Sequence, residues 1–274
     1  TLNGSNSYQG GTQLNGGELT LGNNAAIGSG ALSIGGSAQL DSSTALQLAN
    51  AINLGAQLTL AGTQDTTLGG FSGGSGSLVK NGSGALLLTG ANTYTGGTTL
   101  NGGSTTGDTS SLKGAILNNA ALTFAQNSDG TYSGNLSGSG TLTKSGTGEL
   151  LLTGSNGFTG TTSVQAGSLR VDGTLSSATV NVASGAAIGG SGEIGGTLQL
   201  ASGATLSAGG AATPLSVGAL NLASGTTLDF TLGQVGSSTT VVDVAGNLTL
   251  DGTLNVTNGG GFGVGIYQLF RYGG

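Results

Sequence analysis

The stretch GSLVKNGSGALLLTGANTYTGGTTLNGG, Gly76 to Gly103, returns as GTLTKSGTGELLLTGSNGFTGTTSVQAG, Gly140 to Gly167, with identical spacing between matching residues. Leu78, Lys80, Gly82, Gly84, Leu86, Leu88, Gly90, Asn92 and Tyr94 correspond to Leu142, Lys144, Gly146, Gly148, Leu150, Leu152, Gly154, Asn156 and Phe158. A repeat of this length points to a solenoid, because one unit cannot bury its own apolar face and must stack on the next. Within each unit apolar residues alternate with small polar ones over short runs that end at Gly, Asn or Ser-Gly. That is the pattern of strand and turn, and no stretch has the helical period.

Outward from this unit the pattern continues in both directions. LNGSNSYQGGTQLNGG, Leu2 to Gly17, repeats its second half with Tyr8 at the aromatic position, so the chain is expected to start inside a repeat whose coil stack continues upstream. A shorter unit follows as VNVASGAAIGG from Val180, LQLASGATLSA from Leu198 and LNLASGTTLDF from Leu220, each about the length of one coil. Residues 20–70 carry no clear copy and are assigned by composition and alternation alone. The expected fold is all-β, a single parallel β-helix, with Leu stacked on Leu inside and Asn or Thr on like residues at corners, and with Gly at positive φ. At roughly 20 residues per coil and about 4.8 Å between coils it would form a rod some 60 Å or more in length. The competing folds are a string of β-sandwich modules and a Thr-rich ice-binding solenoid. The latter needs regular Thr-x-Thr ladders, whereas most threonines here stand beside glycines in predicted turns.

The 274 residues include 59 Gly and one Pro, yet 35% are hydrophobic and the mean hydropathy is +0.17. That is enough aliphatic surface for a core, which a linker or a disordered tail would lack. Five basic and eleven acidic residues give a net charge of −6. A nucleic-acid partner is excluded, because Lys80, Lys113, Lys144, Arg170 and Arg271 are too few to neutralise a phosphate backbone. Cys, His, Met and Trp are absent, so thiolate and imidazole metal sites, disulfides and any triad with a histidine base are excluded as well. No apolar run approaches the roughly 20 residues of a membrane helix, and Thr1 opens no signal peptide, which predicts a mature chain or an excised segment.

Five sets of residues invite a chemical reading. Asp229 and Asp251 stand in LDFTL and LDGTL, and equivalent places in adjacent coils would put two carboxylates one strand spacing apart, as a glycosidase couple or a calcium site requires. The opposing reading, two solvated turn residues, is preferred because no polar cluster accompanies them. Lys80 and Lys144, near Glu149 or a serine, suggest Ser-Lys chemistry, but repeat equivalence points to a corner or outer-face residue instead. Tyr8, Tyr94 and Phe158 would make a sugar-stacking row if they faced outward; equivalent aromatics in a solenoid more often stack inside or cover a coil edge. GGSGSLVKNGSG near Gly73 lacks the Gly-Lys-Ser/Thr of a nucleotide loop and no helix follows. Asn-x-Ser/Thr at Asn3, Asn81, Asn135, Asn247 and Asn255 is expected by chance in so Ser/Thr-rich a chain. No catalytic, cofactor-binding or metal-binding residue is assigned.

LLLTGANTYTGGTTLNGG and its second copy LLLTGSNGFTGTTSVQAGSL, with the truncated first copy, resemble the autotransporter-associated β-strand repeat of Gram-negative passenger domains. VVDVAGNLTLDGTLNVTNGGGFGVGIYQLFRYGG, from Val241, is similar to the end of pertactin-like passengers just before their cap. The resemblance implies a right-handed β-helix at the bacterial surface, exported through the outer membrane by a C-terminal barrel outside these residues. It also implies that the repeats help the passenger fold as it emerges. Residues 1–179 would form the β-helix with autotransporter-type repeats, and residues 180–274 would continue it with shorter coils toward the absent cap and barrel.

Three functions follow as expectations. The first is an adhesin acting in cell adhesion, autoaggregation or biofilm formation, by self-association between passengers or on a host or cell-surface ligand. Hydrogen bonds of about 1 kcal/mol each would have to recur along a long face. The second is a passive stalk that presents an absent N-terminal domain. The third, a polysaccharide-acting enzyme, needs clustered charges that so few scattered acids and bases do not supply, so the chain is read as non-enzymatic.

Overall fold

A computed structural model of the chain describes residues 1–210, 212–234 and 240–274. They form short strands without any helix, and every strand pairing among them is parallel. The chain is a parallel β-solenoid in which successive coils are offset by about 20 residues, the length expected of one solenoid rung. Two compact units are distinguished, residues 1–125 with 134–141, and residues 126–133 with 142–274.

In the first unit each full coil contributes up to three strands, one to each of three faces. One face stacks Gly17–Leu21, Ala38–Ser42, Leu58–Leu60, Leu78–Lys80, Thr98–Leu100, Ile116–Asn118 and Leu136–Ser137. Because side chains alternate across a strand, parallel in-register stacking turns each inward position into a column. Ala38, Leu58, Leu78, Thr98, Ile116 and Leu136 make one such column, and Leu40, Leu60, Lys80, Leu100 and Asn118 the next. Residues 20–70, assigned above by alternation only, supply strands such as Leu32–Ile34, Leu46–Leu48 and Ile52–Leu54, with their aliphatic side chains buried.

The second unit repeats the design. One face stacks Glu149–Leu152, Ser168–Val171, Ala187–Gly190, Thr205–Gly209, Thr227–Leu232 and Thr253–Asn258. Its inner column runs Leu150, Leu169, Ile188, Leu206, Leu228 and Leu254. A second face carries Leu142, Thr162, Val180, Leu198, Leu220 and Leu248. Each fully buried aliphatic side chain contributes about 1.5–3 kcal/mol, so the columns are the main source of stability in both units.

Threonines depart from expectation. Several lie within strands, not in turns: Thr98, Thr105 and Thr162 face the core, while Thr205, Thr227 and Thr253 form a column on the other side of their strands. β-Branched Thr fits a pleated surface as well as Val does, and its hydroxyl finds a partner when one is in reach. Thr98 and Thr162 have such partners, Tyr94 and Ser177. Thr105, 1% exposed between Leu86 and Leu122, has a hydroxyl with none. Thr105→Val is therefore expected to stabilise the chain by about 1–2 kcal/mol, since it removes an unmatched polar group at nearly constant volume. A urea midpoint lower than the parent's would contradict that reading of the site.

Candidate functional site

The aspartate pair is not brought together. The strands carrying Leu228 and Leu254 are neighbours, but Leu228 aligns with Leu254, so Asp229 faces Asn255 and not Asp251. Asn255 Nδ2 donates to Asp229 Oδ1 at 2.8 Å, and Asp251 Oδ1 accepts the backbone N–H of Gly252 in its own turn. The two Leu-Asp pairs sit in different frames, four residues apart along the strand, which removes the glycosidase couple and the shared calcium site.

The repeat aromatics divide. Tyr94 and Phe158 are 3% and 1% exposed, so they are core residues as the opposing reading held, whereas Tyr8 is 41% exposed. Tyr94 packs edge-on against Phe71 with ring centroids 5.2 Å apart, and its hydroxyl pairs with that of Thr98. Burial pushes the Tyr94 phenol above its usual 10.0, against the lowering effect of the Thr98 hydrogen bond. Tyr8 makes the same bond to Thr12 at 2.8 Å. In the other copy Phe158 lacks the hydroxyl, and Thr162 pairs instead with the buried Ser177 at 2.6 Å.

Lys80 and Lys144 correct the sequence reading. Both belong to inward columns, 3% and 0% exposed, and neither lies on an outer face. Their apolar stems fill the space of a leucine, and each ammonium bends back to the corner where main-chain carbonyls converge. Lys80 Nζ donates to the carbonyls of Gly82 and Gly102. Lys144 Nζ donates to those of Ser145, Gly146 and Ala166 at 3.1, 2.8 and 2.9 Å. Among the described residues the ion pairs are Arg170–Asp172 and Arg271–Asp243, so neither buried ammonium meets a carboxylate.

Desolvation holds both lysines below their usual pKa of 10.5, in Lys80 against an opposing pull from Asp65. A folded-state pKa below the unfolded value means that the unfolded chain binds more protons in the window just under 10.5, so stability rises with pH through it. The rise is expected in the parent and absent from a Lys80→Met/Lys144→Met variant, as read from urea midpoints across that window; parallel curves would contradict it.

A further device went unread in the sequence. Asp65 Oδ1 accepts the N–H of Ala85 and Asp129 Oδ1 that of Glu149, both at 2.8 Å, and Asp172 Oδ1 takes the N–H of Ser191 at 3.1 Å. Each carboxylate thus ties one coil to the next. The signal was present, because Asp65 and Asp129 stand at the same distance before the matching Leu86 and Leu150.

In the second unit an open groove with charged walls, about 390 Å³ in volume, lies on the strand face that begins at Glu149. Its floor is Ser168, Gly189 and Ser207, with Glu149 and Arg170 toward one end and Asp229 at the other. The floor cannot rise at Gly189, where a Cβ would lie 1.9 Å from the Ser207 carbonyl oxygen. Arg170 Nε is engaged by Asp172 at 2.9 Å, and Ser168 Oγ donates to Glu149 at 3.3 Å. Glu149 and Asp229 are four strand spacings apart, roughly 19 Å. Glycosidase carboxylates stand about 5–9.5 Å apart, so these two cannot act as such a couple. Among the described residues no group of His, Cys, Asp or Glu is placed to hold a metal ion.

The passenger-associated-transport-repeat family matches residues 1–21, 78–105 and 142–171. The adhesin BmaC autotransporter of Brucella suis biovar 1 (strain 1330) is 41% identical over 81 residues, which are 29% of this chain and 2% of that protein's length. No solved structure gives a significant match. Two of the matched stretches contain the coils with the buried lysines. The chain thus sets passenger-associated-transport repeats on a parallel β-solenoid, and over part of its length it is similar to an autotransporter adhesin.

Proposed function

We propose that the chain is part of a surface-exposed autotransporter passenger exported through the outer membrane, that it is adhesive and non-enzymatic, and that it acts by self-association through an outer face of short, mostly uncharged side chains. The observation that carries the reading is the outer side of the second unit's strands. The column Ser168, Ala187, Thr205, Thr227 and Thr253 runs beside Arg170, Gly189, Ser207, Asp229 and Asn255, so short side chains stack at the strand spacing, hydroxyl- or amide-bearing in every strand but that of Ala187 and Gly189, with Arg170 and Asp229 as the charges. A periodic face of this kind matches a second copy of itself, adding small contributions of about 1 kcal/mol or less at every coil. The likeness to an adhesin supports the same reading, and passenger nature implies an outer-membrane barrel outside these residues as the anchor.

Sedimentation velocity over a wide concentration range tests it, with Thr205→Lys/Thr227→Lys as the companion variant. Dimers or larger species that grow with concentration in the parent and vanish in the variant are the expected result. A strictly monomeric parent would reject self-association and leave the stalk reading in its place.

A further inference from the structure

Lys80 and Lys144 raise a physical question that export and adhesion do not answer. A buried ammonium is disfavoured by desolvation, and an apolar residue of similar length often fills such a site at lower cost. Met or Leu would continue both columns, since Lys80 stands between Leu60 and Leu100 and Lys144 is followed by Val164, Val182, Leu200 and Leu222. Stability therefore does not explain the choice of lysine.

The columns themselves suggest what does. Leu stacked on Leu is the same contact at every coil, so a coil that skips one neighbour and stacks on the next recovers most of its apolar burial. A slipped stack is thus a close competitor of the native one, and such degeneracy widens the set of compact alternatives. The lysines break it. Each ammonium takes carbonyls from its own coil, Gly82 for Lys80 and Ser145 and Gly146 for Lys144, and one from the coil that follows, Gly102 or Ala166. Gly102 and Ala166 are the same position of the two repeat copies. The two repeats therefore make the same cross-coil contact independently.

We propose that Lys80 and Lys144 are register pins, buried cations that fix which coil stacks on which by demanding a main-chain carbonyl from the correct following corner. A slipped coil leaves a donor of a buried charge unmatched, a larger penalty than any exchange of one leucine contact for another. Buried polar groups are known to select register in this way where apolar contacts are interchangeable. The lowered pKa of both lysines agrees, because it marks the charge as a net burden in the folded chain.

The test is refolding of the full 274-residue chain from denaturant as parent, Lys80→Met, Lys144→Met and the double variant. Thermal midpoints are measured, and hydrogen exchange with mass spectrometry counts the refolded populations. The double variant is expected to melt at or above the parent's temperature, while the fraction recovered as one uniform species falls at least about twofold. Uniform refolding at the parent's yield overturns the proposal. So does a lowered midpoint with uniform refolding, which would make the lysines stabilising clamps, and so does complete failure to fold, which would make them necessary for any fold. Amine acylation of the native parent checks the premise separately. Lys113 should react at least about tenfold faster than Lys80 and Lys144, which are reached only through opening of the coils; equal rates would remove the buried cations on which the inference stands.

Discussion

Gly74→Ala is expected to destabilise the first unit by about 4 kcal/mol or more, among the largest effects any single substitution has. Gly74 has φ +108, where an alanine is strained by about 1–3 kcal/mol before any contact is considered. The added Cβ would lie 1.8 Å from the Leu54 carbonyl oxygen and 2.3 Å from its carbon. Both are main-chain atoms of the preceding coil, so no rotamer change relieves the overlap and the coils themselves must separate. Leu54 is fully buried and pairs with Ile34 in its strand ladder, which spreads the damage along the column. Urea unfolding should show a strongly lowered midpoint, and amides from Leu54 to Leu78 should lose their exchange protection. Gly4→Ala is the control: nothing lies within 4 Å of its added Cβ, and the change should stay within about 0.5 kcal/mol. A Gly74→Ala chain as stable as the control would mean that the coils do not approach each other as described.

The contrast between Gly74 and Gly4 also shows what a sequence of this composition hides. Strand periodicity and repeat spacing made the solenoid legible, because Leu78, Leu86 and Leu88 and their counterparts can face one side only if the chain coils. Residues 20–70 folded as alternation predicts for the same reason. The frame between coils was not legible. LDFTL and LDGTL look equivalent, yet the chain aligns Leu228 with Leu254, since the strand begins at Thr253 and leaves Asp251 in the turn before it. Lysine type misled at Lys80 and Lys144, where a charged residue reads as surface although a long stem lets its charge return to the corner from inside a core column. The groove gave no signal at all, because it consists of side chains that are missing or short, at Gly189, Ala187 and Ser168, and absence of bulk has no periodicity to read.

Phe158→Ala is expected to cost about 3–5 kcal/mol, the range for removing a buried aromatic side chain from a packed interior. Phe158 is 1% exposed, and its neighbours in the coil are held by other bonds, including the Thr162–Ser177 pair, so collapse into the vacated volume is restricted. The repeat-equivalent Tyr94 separates the aromatic contribution from the polar one. Tyr94→Phe keeps the ring against Phe71 and removes only the hydroxyl, leaving the 4% exposed Thr98 without its side-chain partner, a loss of about 1–2 kcal/mol. The reverse exchange, Phe158→Tyr, should be nearly neutral, because a hydroxyl there meets Thr162 as Tyr94 meets Thr98, at the expense of the Ser177 bond. Urea midpoints for the three variants should therefore order Phe158→Ala far below Tyr94→Phe, with Phe158→Tyr near the parent. If Phe158→Ala costs less than about 1 kcal/mol, the repeat aromatic is not a core residue, and an outward sugar-stacking role for that position returns to consideration.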